Sequence, residues 1–325
     1  MKTIVYDIVE NEFKKEFCIY DYEQYIVNKI FFETLEFHEY HEKNCEQLYR
    51  VINVKKGKII GVYYIGIRGN QAFMPYSSPF SQINILQKLS YNDFNNLING
   101  MKKICKENDI KEINVSLPPL IYNREIETQF LVMINNGFKI DYINVNHYFD
   151  LMDFENQESF VSKLPHAQRK NYKRTIKENL KFYKVETNKF EDAFEVIEIN
   201  RKEKGYPLRM SREQVRDILQ FNSSANIEFF VIENREGNKI ASAMVYKVND
   251  NVCQVIYWGH IDKYSSQRPM SLLSVKLCEY YKNKGMRYLD IGPSSENGNW
   301  NINLAQFKVD MGCMDTSKFT LKLKL

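Results

Sequence analysis

The sequence predicts an α/β (α+β) fold built from two tandem units, each a mixed, mainly antiparallel sheet flanked by helices. Three observations carry this expectation. At 325 residues the chain exceeds the roughly 250–300 residues that one hydrophobic core serves. Its 44% hydrophobic and 26% charged residues suffice for ordinary globular cores. Its two halves also echo one another as the same series of hairpin, strand, helix and strand.

The echo opens with two hairpins. Residues 49–62 read YRVINVKKGKIIGV, and residues 229–245 read FFVIENREGNKIASAMV. Each is a β-rich run, a charged turn containing glycine (Gly57, Gly237) and a second β-rich run. More strand-like sequence follows at 63–73 and at 252–258. Helical spacing comes next. Phe94, Leu97, Ile98, Met101 and Ile104 mark 91–108, while Leu272, Leu273, Cys278 and Tyr281 mark 271–284. Short turns at Asn108-Asp109 and Asn283-Lys284-Gly285 lead into the strands EINVSL (112–117) and RYLDI (287–291). Those strands run into Pro118 and Pro293. Ile113 follows Gly57 by 56 residues, and Leu289 follows Gly237 by 52. The strand-like stretch 141–149 closes the first unit, and a new helical pattern starts near Ser159. The expected domains are therefore 1–150 and 151–325, with no low-complexity linker between them.

Composition narrows the function classes. A net charge of +4 is too mild for a chain that wraps DNA, since no global basic excess exists to release counterions. The 14% of aromatic residues reads first as a bias towards Tyr and Phe rather than a ligand surface. Cys18, Cys45, Cys105, Cys253, Cys278 and Cys313 form no C-x-x-C pair and have no His at zinc-ligand spacing, so reduced, buried thiols and no metal are expected. Asp7, Glu10 and Glu12 interrupt any signal-peptide core, and no run of about 18 apolar residues occurs. A cytoplasmic protein without a membrane span is the expectation.

Two segments carry candidate chemistry. Residues 163–184 hold eight Lys/Arg and one acid, Glu178. On a helix Arg169, Lys173 and Lys177 stack at i, i+4 and i+8, with Lys170 and Arg174 beside them. Tyr172, Ile176 and Leu180 form the adjoining apolar stripe. Such a face suits phosphate on a coenzyme, a nucleotide-linked precursor or an RNA backbone, against the plain alternative of a solvated helix surface. The second segment, 290–300, follows an apolar strand as DIGPSSENGNW. Crowded polar residues with two glycines fit a ligand-contacting loop, or else a surface turn. Ser294 and Asn297 are its binding candidates. Asp290 and Glu296 are the candidates to take a proton from an attacking amine.

These residues resemble a known family. A hairpin, a long strand, a helix and a strand make up the core of the GNAT acetyltransferase superfamily. Two such units in tandem, with a basic helix opening the second, look like the Fem-type peptidoglycan aminoacyltransferases and their acetyltransferase-like relatives. The residues that carry the likeness are QRKNYKR at 168–174 and the stretch from YLDIG at 288–292 through Phe307-Lys308 to Met311-Gly312. The resemblance covers most of 159–320 and rests on topology alone in the first half.

What the resemblance implies is an acyl-group transferase, N-acyl or aminoacyl, acting on an amine or hydroxyl of a small or cell-envelope precursor. The other reading it leaves open is a non-catalytic binding or scaffold protein that recognises a phosphorylated ligand. The resemblance places donor binding and catalysis in the second unit, with a degenerate first unit on the acceptor side, where Tyr76 and Ser77 would line a groove. Lys308 would steady negative charge or bind phosphate beside Phe307. The splayed strand would bring Tyr257 and His260 to the pocket. Where the family cradles the coenzyme A pyrophosphate, this chain reads SSQRPMSL at 265–272 without either glycine, leaving Gln267, Arg268 and the helix N-terminus for phosphate. Acyl-CoA is thus one implied donor and aminoacyl-tRNA the other. No heptad-rich arm for tRNA appears between Pro165 and Phe229. The implied partners are a small-molecule or nucleotide-linked acceptor and tRNA, with no DNA.

Overall fold

The structure, a computed structural model, describes residues 1–14, 30–221 and 227–325. The chain divides into two compact units, Met1–Asn144 with Ser317–Leu325, and Val145–Thr316. The expected boundary at residue 150 lies at the end of a strand that begins in the first unit and finishes in the second.

In the first unit the strands are β1 (Lys2–Asp7), β2 (Glu12–Lys14), β3 (Gln47–Lys55), β4 (Lys58–Arg68), β5 (Gln71–Met74), β6 (Asn84–Ile85) and β7 (Glu112–Ser116), after which β8 (Lys139–Asp150) sets out. The helices are α1 (Leu35–His41), α2 (Tyr91–Glu107) and α3 (Glu125–Asn135). The sheet runs β2-β1-β3-β4-β5-β7, and residues 320–324 return to pair antiparallel with β7. Helix α2 starts on a capping box in which Ser90 and Asp93 satisfy each other's backbone N–H. The stretch 63–73, read from the sequence as one run, is two strands. β4 continues to Arg68, a turn at Gly69-Asn70 reverses the chain, and β5 follows. Val5, Ile52, Val62, Tyr64 and Tyr76 are among the residues that pack together in this unit.

In the second unit β9 (Lys181–Val185), β10 (Ile227–Glu233), β11 (Lys239–Lys247), β12 (Val252–His260) and β13 (Tyr288–Pro293) are joined by the last residues of β8. The short strands β14 (Ser295–Glu296) and β15 (Asn299–Trp300) form a separate hairpin, and β16 (Met314–Lys324) leads back to the first unit. The helices are α4 (Gln157–Lys163), α5 (His166–Lys177), α6 (Glu191–Lys204), α7 (Arg212–Phe221), α8 (Pro269–Asn283) and α9 (Ile302–Asp310). Strand order is β8-β13-β12-β11-β10-β9, and only the β12–β13 pair is parallel. The series β10-β11-β12-α8-β13 repeats β3-β4-β5-α2-β7, two antiparallel pairs and then a parallel pair reached over a crossover helix. The echo in the sequence is therefore an echo of topology.

Helix α8 is buried on nearly every side, with Leu272, Leu273, Val275, Leu277, Cys278 and Tyr281 in the core. Cys105, Cys253, Cys278 and Cys313 are buried free thiols and Cys45 is half-buried, while Cys18 lies outside the described residues. Burial raises the pKa of each of these five thiols.

Glu228 ties the sheet to the end of α8. This β10 carboxylate is 8% exposed and accepts hydrogen bonds from Lys184 (2.7 Å), Lys284 (2.7 Å), Tyr280 (3.0 Å) and Tyr281 (2.9 Å). Burial pushes its pKa up, but the hydrogen bonds outweigh burial and hold it below the ordinary value. The unfolded chain therefore takes up this proton first on acidification. The stability it contributes is complete above the ordinary glutamate range, about pH 4.3, and fades as pH falls through the folded value. Glu228→Gln is expected to cost about 1–3 kcal/mol. It should also flatten the acid limb of urea midpoint against pH. An unchanged acid limb would refute this role.

Candidate functional site

In the second unit the sheet opens along one seam. β12 and β13 pair at only three positions, Val252 with Tyr288, Cys253 with Leu289 and Gln254 with Asp290. Both strands then run on without further pairing to each other, β12 to His260 and β13 to Pro293. The ladders on either flank slip at the same level. Met244 pairs with Tyr257 and Val245 with Val255, so Ile256 is an extra residue in β12. Asp290 pairs with Tyr148 and Gly292 with His147, so Ile291 is an extra residue in β13. Bulges bend and twist their strands, and two bulges flanking one seam make the strands part. Beyond Gln254 the edge of β12 that faces β13 has no ladder partner. Carboxyl ends of parallel strands are where open α/β sheets take ligands.

Asp290 forms the floor of this seam and has no exposed surface. Its carboxylate accepts from Asn146 Nδ2 (2.7 Å), Gln254 Nε2 (3.0 Å) and its own strand's Gly292 N–H (2.8 Å). Lys308, on α9, is 3% exposed. Its Nζ donates to the carbonyls of Ile291 (3.3 Å), Gly292 (2.9 Å) and Pro293 (3.0 Å), the residues where β13 leaves β12. Burial drives the Lys308 pKa down to about 8, offset in part by Cys313 and Asp290, while Arg201 adds to the lowering. Two of the three expected catalytic groups, Asp290 and Lys308, thus lie near one another but inside the protein. Asp290 orders two amides and Lys308 closes the free edge of β13.

The segment 290–300, read as a polar loop, is a strand end and a hairpin. Asn297 (φ 49°) and Gly298 (φ 78°) are both left-handed between β14 and β15, the conformation a two-residue hairpin turn requires. Asn297 is therefore a turn residue. Glu296 is exposed and pairs with Arg209 at 3.0 Å, an ion pair worth little in water. Ser294 is 2% exposed, and its Oγ has no partner among the described residues. Phe307 packs against the core of the unit.

Helix α6 borders the other strand of the seam. Arg201 lies over the Tyr257 ring at 5.1 Å, and Asn200 Nδ2 donates to the His260 carbonyl at 2.8 Å. Asn200 comes so close that a Cβ on Gly259 would sit 2.2 Å from its Oδ1, which explains a glycine in mid-strand. Tyr257 is buried, its pKa raised by burial, and its hydroxyl accepts from Arg209 N–H at 3.1 Å. The pKa of His260 is lowered, first by burial and then by Lys204.

The candidates for phosphate lie at the N-terminal end of α8 and on α5. Arg268 takes a left-handed φ of 58° just before Pro269 opens α8, and Ser271 Oγ lies 3.5 Å from Gln168 Oε1 of α5. Gln267 Oε1 is enclosed and has no partner among the described residues. On α5, Lys170, Lys173, Arg174 and Lys177 are exposed, and Arg174 lies 3.7 Å from Glu178. Arg169 instead donates to the carbonyls of Ser162 and Leu164 and so caps α4. Tyr76 of the first unit is 5% exposed and hydrogen-bonded to His38, with Ser77 beside His41 at 3.2 Å.

Sequence reasoning missed Asn146, His147 and Gln254. The signal was present, because INVNHYF and VCQVIYW place polar residues inside strands that are otherwise apolar, and a buried polar side chain is the informative exception. His147 is 1% exposed and its pKa falls to about 4, first from burial and then from the charge of Lys308.

No model of a known protein family matches the sequence, and no curated protein matches it. Solved structures share its fold. The crystal structure of FemX matches with a TM-score of 0.71 at 12% identity, over 96% of this chain and 98% of that one. A conserved protein of unknown function from Bacteroides thetaiotaomicron matches with a TM-score of 0.61 at 8% identity, over 89% and 90%. L-PGS from Bacillus licheniformis matches with a TM-score of 0.56 at 13% identity, over 81% and 80%. Among the described residues no helix is long and apolar enough to cross a membrane, and no cluster of three metal-ligating side chains occurs.

Proposed function

We propose that the chain is an acyl-group transferase that moves an acyl or aminoacyl group from a thioester or ester onto an amine or hydroxyl, with transfer seated where β12 and β13 part. The observation that carries this reading is the divergence of those strands beyond Gln254 and Asp290, between two bulges. An extended acyl arm in that gap has the free edge of β12 for main-chain hydrogen bonds. Attack on its carbonyl develops negative charge. The ammonium of Lys308 is placed to stabilise such charge in a weakly screened site, once it turns from the β13 carbonyls. Asp290 is then its counter-ion and a positioning residue. Exposed Glu296 is the carboxylate able to meet an acceptor's proton. The triple hydrogen bond that now holds Lys308 favours the other reading, a binding protein without turnover.

The donor is proposed to be an aminoacyl ester ahead of a coenzyme A thioester. Pro269 has no N–H, so the N-terminus of α8 has one donor fewer for a pyrophosphate. The likeness of fold to the putative lysylphosphatidylglycerol synthetase domain from Agrobacterium fabrum, at a TM-score of 0.55 and 12% identity, agrees with an aminoacyl donor. The exposed cations of α5 suit a phosphorylated acceptor or carrier, and a cytoplasmic cell-envelope precursor fits that description.

Thermal shift with acetyl coenzyme A, coenzyme A, a UDP-linked sugar and aminoacyl-tRNA tests the proposal. A true ligand at a hundredfold excess over its dissociation constant stabilises by about 2.7 kcal/mol. The double reversal Lys173→Glu, Arg174→Glu is expected to weaken the phosphorylated ligand at least tenfold without lowering the melting temperature. If none of the four ligands stabilises the chain, the transferase reading fails.

A further inference from the structure

The first unit carries a cleft of about 410 Å³ where the start of α2 meets the start of α3. That lies within the roughly 300–1,000 Å³ of small-molecule sites. Its floor is apolar. Ile85 of β6 and Phe94 of α2 are each 5% exposed, and Leu86 and Leu89 continue the wall. Tyr91 stands at the rim, 70% exposed. One carboxylate lines the cleft, that of Glu125 in the first turn of α3. It is half-buried and has no ion-pair partner among the described residues. Burial raises its pKa, a hydrogen bond from Asn123 offsets part of that, and no neighbouring charge acts on it. Lys88 also lines the cleft, but it is exposed and free to extend into water. An anion has no place here. The N-terminus of α2 is the counterpart of the N-terminus of α8 in the repeated series, yet its own Asp93 fills it. Asp93 accepts from Ser90 N–H (3.2 Å), Ser90 Oγ (2.9 Å) and Lys55 Nζ (2.6 Å). A phosphate beside it would meet two carboxylates.

From this arrangement we infer that the cleft binds an organic cation, an apolar body with a primary ammonium head. The body covers Ile85, Leu86, Leu89 and Phe94, and the ammonium meets Glu125. A hydrogen bond between two ionised groups is about twice as strong as a neutral one, and half-burial screens it less than open water does. Tyr91 is the aromatic partner for the cation at the rim. A protonated amine has no lone pair, so the cleft holds its guest and does not present it for attack. Every residue named belongs to the first unit, so the inference is independent of the transferase reading. The titratable side chains around Glu125 are Lys88 and Tyr91 in the cleft and Arg124 and Glu127 beside it on α3, all four exposed. Asp93 is already paired with Lys55.

The test needs no turnover. Isothermal titration calorimetry on the full-length chain compares phenethylamine, phenethyl alcohol and hydrocinnamate, which share an apolar body and differ in charge. At neutral pH the amine should bind at least tenfold more tightly than the alcohol, and hydrocinnamate should bind more weakly than either. On acidification the affinity for the amine should fall as Glu125 takes up its proton, at a pH above the ordinary glutamate value of 4.5. An alkylammonium keeps its charge up to about pH 10, so this loss reports the protein's carboxylate. Glu125→Gln should bring the amine down to the level of the alcohol and leave the melting temperature unchanged. Leu89→Trp fills the cleft without touching the carboxylate and should weaken amine and alcohol alike, at least tenfold. Equal binding of amine and alcohol by the wild-type chain, or no heat from the amine, would overturn the inference. So would a preference for the amine that survives Glu125→Gln, an affinity that stays constant on acidification, or unchanged binding by Leu89→Trp.

Discussion

Asp290→Ala is expected to cost about 3–5 kcal/mol, because it leaves two buried amides and a main-chain N–H without their acceptor. The carboxylate has no exposed surface and accepts from two buried amides and the N–H of Gly292. Its removal also takes the nearby negative charge from Lys308, whose ammonium is 3% exposed. Domains of this kind are stable by only about 5–15 kcal/mol, so the loss amounts to about a fifth of that or more. Asp290→Asn should fall between wild type and alanine, because its oxygen still accepts while its nitrogen faces donors. Urea unfolding of the three chains is the measurement. A loss below about 1 kcal/mol for alanine would show that Asp290 is not the keystone of the seam.

The series of elements was legible in the sequence because hairpins, turns and an amphipathic helix are local. The glycine turns at Gly57 and Gly237 and the helical spacing of Phe94, Leu97, Ile98 and Met101 needed no knowledge of tertiary contacts. The site was only half legible. Asp290, Ser294 and Lys308 stood out as polar residues after an apolar strand and in a paired motif, and all three lie at the seam. Their burial was not readable, because it depends on α9 folding back over the end of β13. The parting of β12 and β13 was not readable from residues either, since Ile256 and Ile291 look like ordinary strand residues and only the register makes them bulges. Arg169 shows the opposite failure. Its place in a row of cations suggested phosphate, whereas its guanidinium caps the helix before it.

Lys308→Met is expected to separate the two parts this lysine plays. On the transferase reading, transfer should fall about 10²–10³-fold, the usual loss when one stabiliser of developing negative charge is removed. Stability should respond to pH in a characteristic way. Burial lowers the Lys308 pKa from 10.5 to about 8, so between those values the unfolded chain holds the proton and the folded chain has released it. Stability from this group therefore rises with pH across that window, by on the order of 3 kcal/mol. The buried thiols act in the opposite sense. Burial pushes the thiols of Cys313, Cys253 and Cys105 well up, so the unfolded chain loses those protons first and stability falls. The diagnostic quantity is then the difference between wild type and Lys308→Met. Methionine fills a similar volume with no charge, and the contributions of Cys253 and Cys105 cancel between the two chains, while Cys313 loses the neighbouring charge that lowers it. Relative to the variant, wild type should gain stability from pH 8 to 10.5. A constant difference across that range would mean that Lys308 titrates at its ordinary value. It would then be too well solvated to act as a buried cation at the end of β13.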